Sequence, residues 1–593
     1  MITHNSLHKF FTLDFLKIKL FLIILLLSFN YNFAQRENLI IEEELIDKTQ
    51  DLYNLSPDGV LETIFDQYGK KYKLEDIFIN ALPSNTATLI SCSSTSYFNL
   101  YFEAGCGMED TSNPEHNARR AVVCKVFEDI SNFIDSPLSS TGNKVNIWIR
   151  NINNAHANPS SVLGFASSFF NVAGNTGGIV DGEIWKTIHT GYDSYSGIAT
   201  PLVTIGSGSS LSGTFYHGML AFNFNDTATP PIPNITPIIW NTNLTSTTIP
   251  FSQYDLYSIM LHEVAHSLGF GSLIDENGNS KFGVNYRYYS RYDTYLKTNN
   301  QNNFLLTQIG CGSMTDYGFN SSLSPTILRP NPLSQPCQDD VTNCSNAIKF
   351  VKSTVVPVFT PNCFMNSSSL SHFEDTHFPT CNTTASGYGN NNYFLMCNAM
   401  ANGKIRRYLK PEERLALCDI GYKVKSTYGS SSTFGGYYNY GGTTCNGINV
   451  AGINDGIAST GTYSFSGIIN TNITIPASVI LGNDFNATGF ECLQDLTATA
   501  TFPTTFLTTS GTSSTNITFN SGLVGLHLLR YIPTNGTQKG NITYIYVNVN
   551  PTTNPLTCAP TYTVCNMVGN GNFEENNLYL TQPTFNETKR LCG

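Results

Sequence analysis

Charge is scarce in this chain: only 13% of its 593 residues are charged, and the formal net charge is −11. With 32 Lys and Arg against 43 Asp and Glu, no basic stripe is available to neutralise phosphates, which argues against nucleic acid as a partner. No C-x-x-C pair or Cys/His cluster has zinc-finger spacing. Beyond the N-terminus, no stretch approaches the roughly 20 apolar residues that a bilayer span needs. Histidine is sparse too, at 11, so a close-spaced pair stands out.

What is present points outside the cell. Lys9, Lys17 and Lys19 precede an apolar run at 20–29, and the small residue Ala34 follows as a cleavage point. Residues 1–35 are therefore expected to be a signal peptide, with an uncleaved anchor as the alternative, and the mature chain is expected to be secreted with no membrane span. All 15 cysteines lie between Cys92 and Cys592, a usage that favours disulfides in an exported chain, although the pairing cannot be deduced and one is left over. Abundant Ser, Thr, Asn and Gly suit a loop-rich extracellular protein.

The strongest local signal is H-E-x-x-H at His262, Glu263 and His266. Positions four apart share a helix face, so both imidazoles can meet one metal ion, and the intervening Glu263 can serve as general base to a metal-activated water. Leu256, Ile259, Met260 and Leu268 supply an apolar stripe, Ser252 and Asp255 resemble a capping box, and Gly269 offers a left-handed exit. Two imidazoles do not complete a catalytic site of the usual kind. Downstream donors are His372, His377, Glu374 and Asp375, while His527 falls in a different module. His116, His156, His189, His217 and His527 lack ligand-like spacing, and Arg406–Arg407 reads as a solvated pair, with binding of a substrate carboxylate as the alternative.

Along the chain, residues 36–83 are acidic, with Glu42, Glu43 and Glu44, and read as an N-terminal extension or pro-segment. A catalytic domain is expected over 84–425. Strands are expected at 97–102, 145–150, 201–205 and 219–224, and helices at 117–133 and 411–418. This order predicts a mixed, mostly parallel sheet followed by the metal-binding helix. A Gly-, Ser- and Tyr-rich linker is expected over 426–445. An all-β sandwich-like module follows over 446–551, and 552–593 reads as the Cys-containing start of a further β module.

The motif H-E-V-A-H-S-L-G-F at 262–270 resembles that of the metzincin zinc endopeptidases, with Ser272 where most members carry a third histidine. Leishmanolysin-like peptidases depart in the same way, with a long insertion before the third histidine and then a methionine turn. Ser371–His372, Leu395–Met396 and the stretch 417–422 resemble that arrangement, over roughly residues 95–425. The resemblance implies an α+β metzincin-like zincin domain and a Zn²⁺ ion held by His262, His266 and His372. It also implies that Gly269 turns the chain towards His372, that Met396 (with Met400 competing) lies under the metal, and that 219–224 is an edge strand pairing with substrate. Glu374 or Asp375 is expected to orient the third imidazole. Two functions are then open: a secreted zinc endopeptidase acting on protein or peptide, with a β module that targets a polymer or cell surface, or an adhesion or carbohydrate-binding protein on an inactive peptidase-like scaffold.

Overall fold

A computed structural model describes residues 62–552, apart from connecting segments of which the longest are 225–237, 329–347 and 375–392. The expected signal peptide, the acidic run at Glu42 to Glu44, His156, Asp375, His377 and residues 553–593 lie outside the described residues.

The domain is built on a seven-stranded sheet. Its strands are β1 (Glu62–Asp66), β2 (Lys71–Tyr72), β3 (Ala87–Leu89), β4 (Phe98–Glu103), β5 (Val145–Asn151), β6 (Gly164–Ala173) and β7 (Gly218–Phe222), in spatial order β2-β1-β6-β7-β5-β4-β3. Parallel pairing is confined to β4–β5 and β5–β7. Strands β1–β2, β1–β6, β6–β7 and β3–β4 pair antiparallel. The sheet is mixed as expected, but four of its six pairings are antiparallel, so the expectation that it is mostly parallel is corrected. Two of the antiparallel pairings are made by β6, which was not anticipated because Ser167, Ser168 and Asn171 interrupt the apolar pattern while being buried. The two serine hydroxyls are used in bonds to other elements: Ser168 Oγ accepts from Ile184 N at 3.2 Å and Ser167 Oγ from Gln67 N at 2.8 Å. Strands β1 and β2 also place part of the 36–83 segment inside the sheet.

Helix α1 (Pro114–Phe133) starts where Asn113 Oδ1 accepts from the Glu115 amide at 2.9 Å, and its Val122, Val126, Phe127 and Ile130 are buried. Phe127 packs on Phe98 of β4 with ring centroids 4.8 Å apart, and a Cys92–Cys124 disulfide ties the helix to the chain before β4. Helix α2 (Glu183–Thr190) ends at Gly191 with φ of 75°, a left-handed stop that glycine adopts without steric cost. Helix α3 (Leu256–Ser267) carries the H-E-x-x-H motif. Its cap is Asp255, not Ser252: the Asp255 carboxylate accepts from Ser258 N at 3.2 Å and Ser258 Oγ at 2.6 Å. Helix α4 (Pro411–Asp419) closes the domain. No helix among the described residues is long and apolar enough to cross a membrane.

The expected linker is part of this domain. Thr427–Tyr428 pairs with Tyr438–Asn439, the Tyr428 hydroxyl lies 2.5 Å from that of Tyr257, and Cys445 is disulfide-bonded to Cys418. Beyond it, two sheets share a core. One comprises β8 (Phe465–Ile468), β10 (Gly489–Asp495), β12 (Gly511–Thr512), β14 (Gly525–Thr534) and β15 (Thr543–Asn550). The other comprises β9 (Ile473–Pro476), β11 (Thr505–Phe506) and β13 (Asn516–Asn520). Leu529, Tyr531, Ile545 and Val547 point into this core with Ile475, Ile517 and Phe519. The alternate residues Leu526, Leu528, Tyr544 and Tyr546 pack instead on Phe65, Phe170, Val172 and Tyr288 of the first domain. A sheet buried on both faces explains why β14 and β15 read as nearly continuous apolar runs. Burying one such leucine stabilises by about 1.5–3 kcal/mol, and polar contacts add to the seam. Tyr544 OH accepts from Ala173 N at 2.9 Å, and buried Arg530 donates to Gly177 O at 2.9 Å.

Candidate metal centre

Helical period brings His262 and His266 to one face, and Gly269, with φ of 103°, then reverses the chain. The reversal places the Phe270 carbonyl 2.6 Å from His266 Nδ1. The third imidazole comes from His372, and ligand atoms of the three lie within 4.8 Å of one another. His266 Nε2 is 3.1 Å from His262 Nε2 and 3.1 Å from His372 Nε2.

Each imidazole is held by a backbone carbonyl on its other nitrogen. His262 Nδ1 lies 2.7 Å from Leu395 O, and His372 Nδ1 lies 2.9 Å from Ser368 O. A carbonyl oxygen only accepts, so in all three rings Nδ1 carries the proton and Nε2 presents a lone pair. Lone pairs facing each other at 3.1 Å cannot hydrogen-bond, and a cation between them resolves the conflict. Tetrahedral ligands about 2.05 Å from zinc stand about 3.3 Å apart, close to the observed spacing, so the donor set fits such an ion. Burial pushes His262 down to about 4, His372 to about 3 and His266 well below its ordinary range. The rings are therefore neutral, as metal ligation requires.

Glu263 is 8% exposed, and burial raises its carboxyl to about 8, opposed by the nearby Ala166 backbone N–H. The strand beside this carboxyl is thus β6. Strand β7, expected at the edge of the sheet, is interior, paired on both sides with β5 and β6.

The segment at 394–397 joins the two ligand sources. Leu395 accepts from His262, while Met396 O accepts from Phe373 N at 2.7 Å, directly after His372. Met396 is fully buried, whereas Met400 is half-buried at the core margin. Glu413 was not anticipated as part of this arrangement. Its carboxylate accepts from Met396 N at 2.5 Å and from Lys410 N at 2.6 Å. Pro411 and Glu413 at the first and third helical positions signal the reach back to Lys410, but nothing in the sequence signals the bond to Met396. The acceptor for His372 is Ser368 O; Glu374 instead donates its backbone N–H to Pro357 O at 2.9 Å.

The reading of Arg406–Arg407 as a solvated pair is overturned, since both are buried. Arg407 grips the helix-capping Asp255 through two bonds, Nε–Oδ2 at 2.9 Å and Nη2–Oδ1 at 2.6 Å. Arg406 donates to the Phe394 carbonyl and to Cys397 Sγ. His189, His217 and His527 are buried and hydrogen-bonded, to Gly421 O and Trp185 O, to Asp193, and to Asp495 respectively.

No family model matches the chain, and no curated protein or solved structure matches it either.

Proposed function

We propose that this chain is a secreted zinc-dependent endopeptidase, of the metzincin, leishmanolysin-like type, acting on protein or peptide substrates. The observation that carries this reading is the convergence of three Nε2 lone pairs, each fixed by a carbonyl on Nδ1, on a centre whose helix also carries the buried carboxyl of Glu263 next in sequence to His262. Zinc at these nitrogens would supply a Lewis acid that lowers the pKa of water to about 7 and polarises a carbonyl. Without a cation the Glu263 carboxyl is pushed up to about 8, and a dication beside it favours the anion. The anion takes a proton from the attacking water at its carboxylate oxygen. The acid so formed returns that proton to the leaving amine nitrogen, and Glu263 ends the cycle as it began.

Secretion is supported by the N-terminal pattern and by the Cys92–Cys124 and Cys418–Cys445 disulfides, which persist in oxidising compartments. An adhesion role on an inactive scaffold gives no reason for a general base beside three oriented imidazoles. The test is cleavage of an unstructured protein such as casein, with and without a chelator. The proposal expects cleavage, by the untreated chain or after limited trypsin treatment, that chelation abolishes and zinc restores; cleavage indifferent to chelator, or none by the zinc-loaded chain in either form, would reject it.

A further inference from the structure

An extended peptide binds a sheet by adding a strand to a free edge. The edge nearest Glu263 is the outer side of β6, because β7 covers the inner side. Phe169 N donates to His217 O at 2.9 Å, so the odd-numbered backbone groups of β6 face inward. By strict alternation, Ala166 and Ser168 present their N–H and C=O outward. That side is filled by the protein's own N-terminal segment. β1 pairs antiparallel with residues 169–173, and the chain then turns over the next stretch. Gln67 Nε2 donates to Ala166 O at 2.8 Å, Tyr68 OH donates to the same oxygen at 3.2 Å, and Gln67 N donates to Ser167 Oγ at 2.8 Å. Both lone pairs of the Ala166 carbonyl are thereby taken.

The turn is held firmly in place. Asp66 Oδ1 accepts from Tyr68 N and Lys70 N at 2.9 and 3.0 Å. Gly69, with φ of 87°, passes so close to the Lys281 backbone that a Cβ would lie 2.0 Å from its carbonyl oxygen. The Tyr68 ring rests against Phe165, with centroids 5.5 Å apart.

We propose that residues 62–72 are an internal inhibitory strand and turn, occupying the β6 edge where an extended peptide substrate pairs, so that the chain as folded is latent until this segment is displaced. No cysteine is involved: the block acts on the pairing edge, not on the metal ligands. The inference rests on the endopeptidase reading, but its test does not depend on turnover.

The experiment compares the full-length wild type with Gly69→Ala and with Gln67→Ala/Tyr68→Phe. The double variant leaves the buried Phe65 in place and keeps the test open if Gly69→Ala does not fold. Zinc content, anisotropy of a fluorescein-labelled extended peptide, and hydrolysis of that peptide are measured on each. Loss of two hydrogen bonds from the block is expected to raise peptide affinity and kcat/KM roughly tenfold, with zinc retained. Unchanged or weaker peptide binding by the zinc-bearing double variant would overturn the inference, as would a fall in kcat at constant KM, which would make Tyr68 part of the chemistry. Tighter binding with no hydrolysis by any form would sustain the block and reject the endopeptidase reading.

Discussion

His262 and His266 stand on a regular helix, whereas His372 stands on a segment with neither helix nor strand. Helix α3 needs only its own period and a cap to bring two imidazoles together. That cap is itself buried and clamped, because Arg407 closes a two-bond pair on Asp255. The segment at 368–373 is placed by single backbone bonds: Phe359 N to His372 O at 2.8 Å, Leu370 N to Phe359 O at 3.0 Å and Phe373 N to Met396 O at 2.7 Å. The difference teaches that one half of the centre is fixed by local periodicity and the other by long-range backbone pairing. The stretch at 394–397 is the hinge between them, since Leu395 serves the helix histidine and Met396 serves the chain after the third one.

The largest break in this comparison should come from Glu263→Gln, which leaves both halves standing and removes only the proposed base. Metal should stay bound while hydrolysis falls by about 10²–10⁴-fold or more; steady-state kinetics on metal-loaded protein measure it, and near-normal rates would remove Glu263 from the chemistry. Next, Arg407→Ala attacks the helix half by leaving Asp255 as a buried, unpaired carboxylate. A loss of about 3–5 kcal/mol in unfolding free energy is expected from denaturant titration. A change under 1 kcal/mol would show that the cap does not depend on the clamp.

Glu413→Gln attacks the other half. It keeps the side-chain shape but replaces one of two accepting oxygens with a donor, so either Met396 N or Lys410 N loses its partner. Competition with a chromophoric chelator should show metal affinity weakened by about 10–100-fold, with a smaller stability change than Arg407→Ala. Unaltered affinity would separate Glu413 from the metal centre.

Acid should act on both halves at once. His262, His372 and the buried His189 have folded values lowered by burial, to about 4, 3 and 4. The unfolded chain protonates near 6.5 and the folded chain does not until lower pH, so stability is lost as pH falls from about 6.5 towards 4. For His189, which lies outside the three-histidine cluster, the slope is about 1.4 kcal/mol per pH unit. Thermal unfolding of metal-free protein across that window measures the sum, and a stability that rises on acidification would contradict the assignment of neutral rings.

The helix half was legible because H-E-x-x-H encodes its geometry within five residues. His372 was placed by resemblance, since nothing local to Ser371–His372 states that it meets a helix more than a hundred residues earlier. The carbonyls that orient the rings were invisible because every residue has one. Strand β6 escaped notice because its buried Ser167 and Ser168 satisfy themselves through tertiary bonds, and β1 because its partner is β6. Tyr428 and Cys445 read as linker composition, yet one is packed into the core and the other disulfide-bonded. The alternation in β14 and β15 was hidden because both of their faces are covered.

The central claim is that three histidines from these two sources hold one metal ion. Elemental analysis of the purified full-length chain, His372→Ala and His377→Ala tests it most directly. About one zinc per chain is expected in the wild type and in His377→Ala, and almost none in His372→Ala. A folded wild type without metal, or loss of zinc from His377→Ala with retention in His372→Ala, would contradict the account.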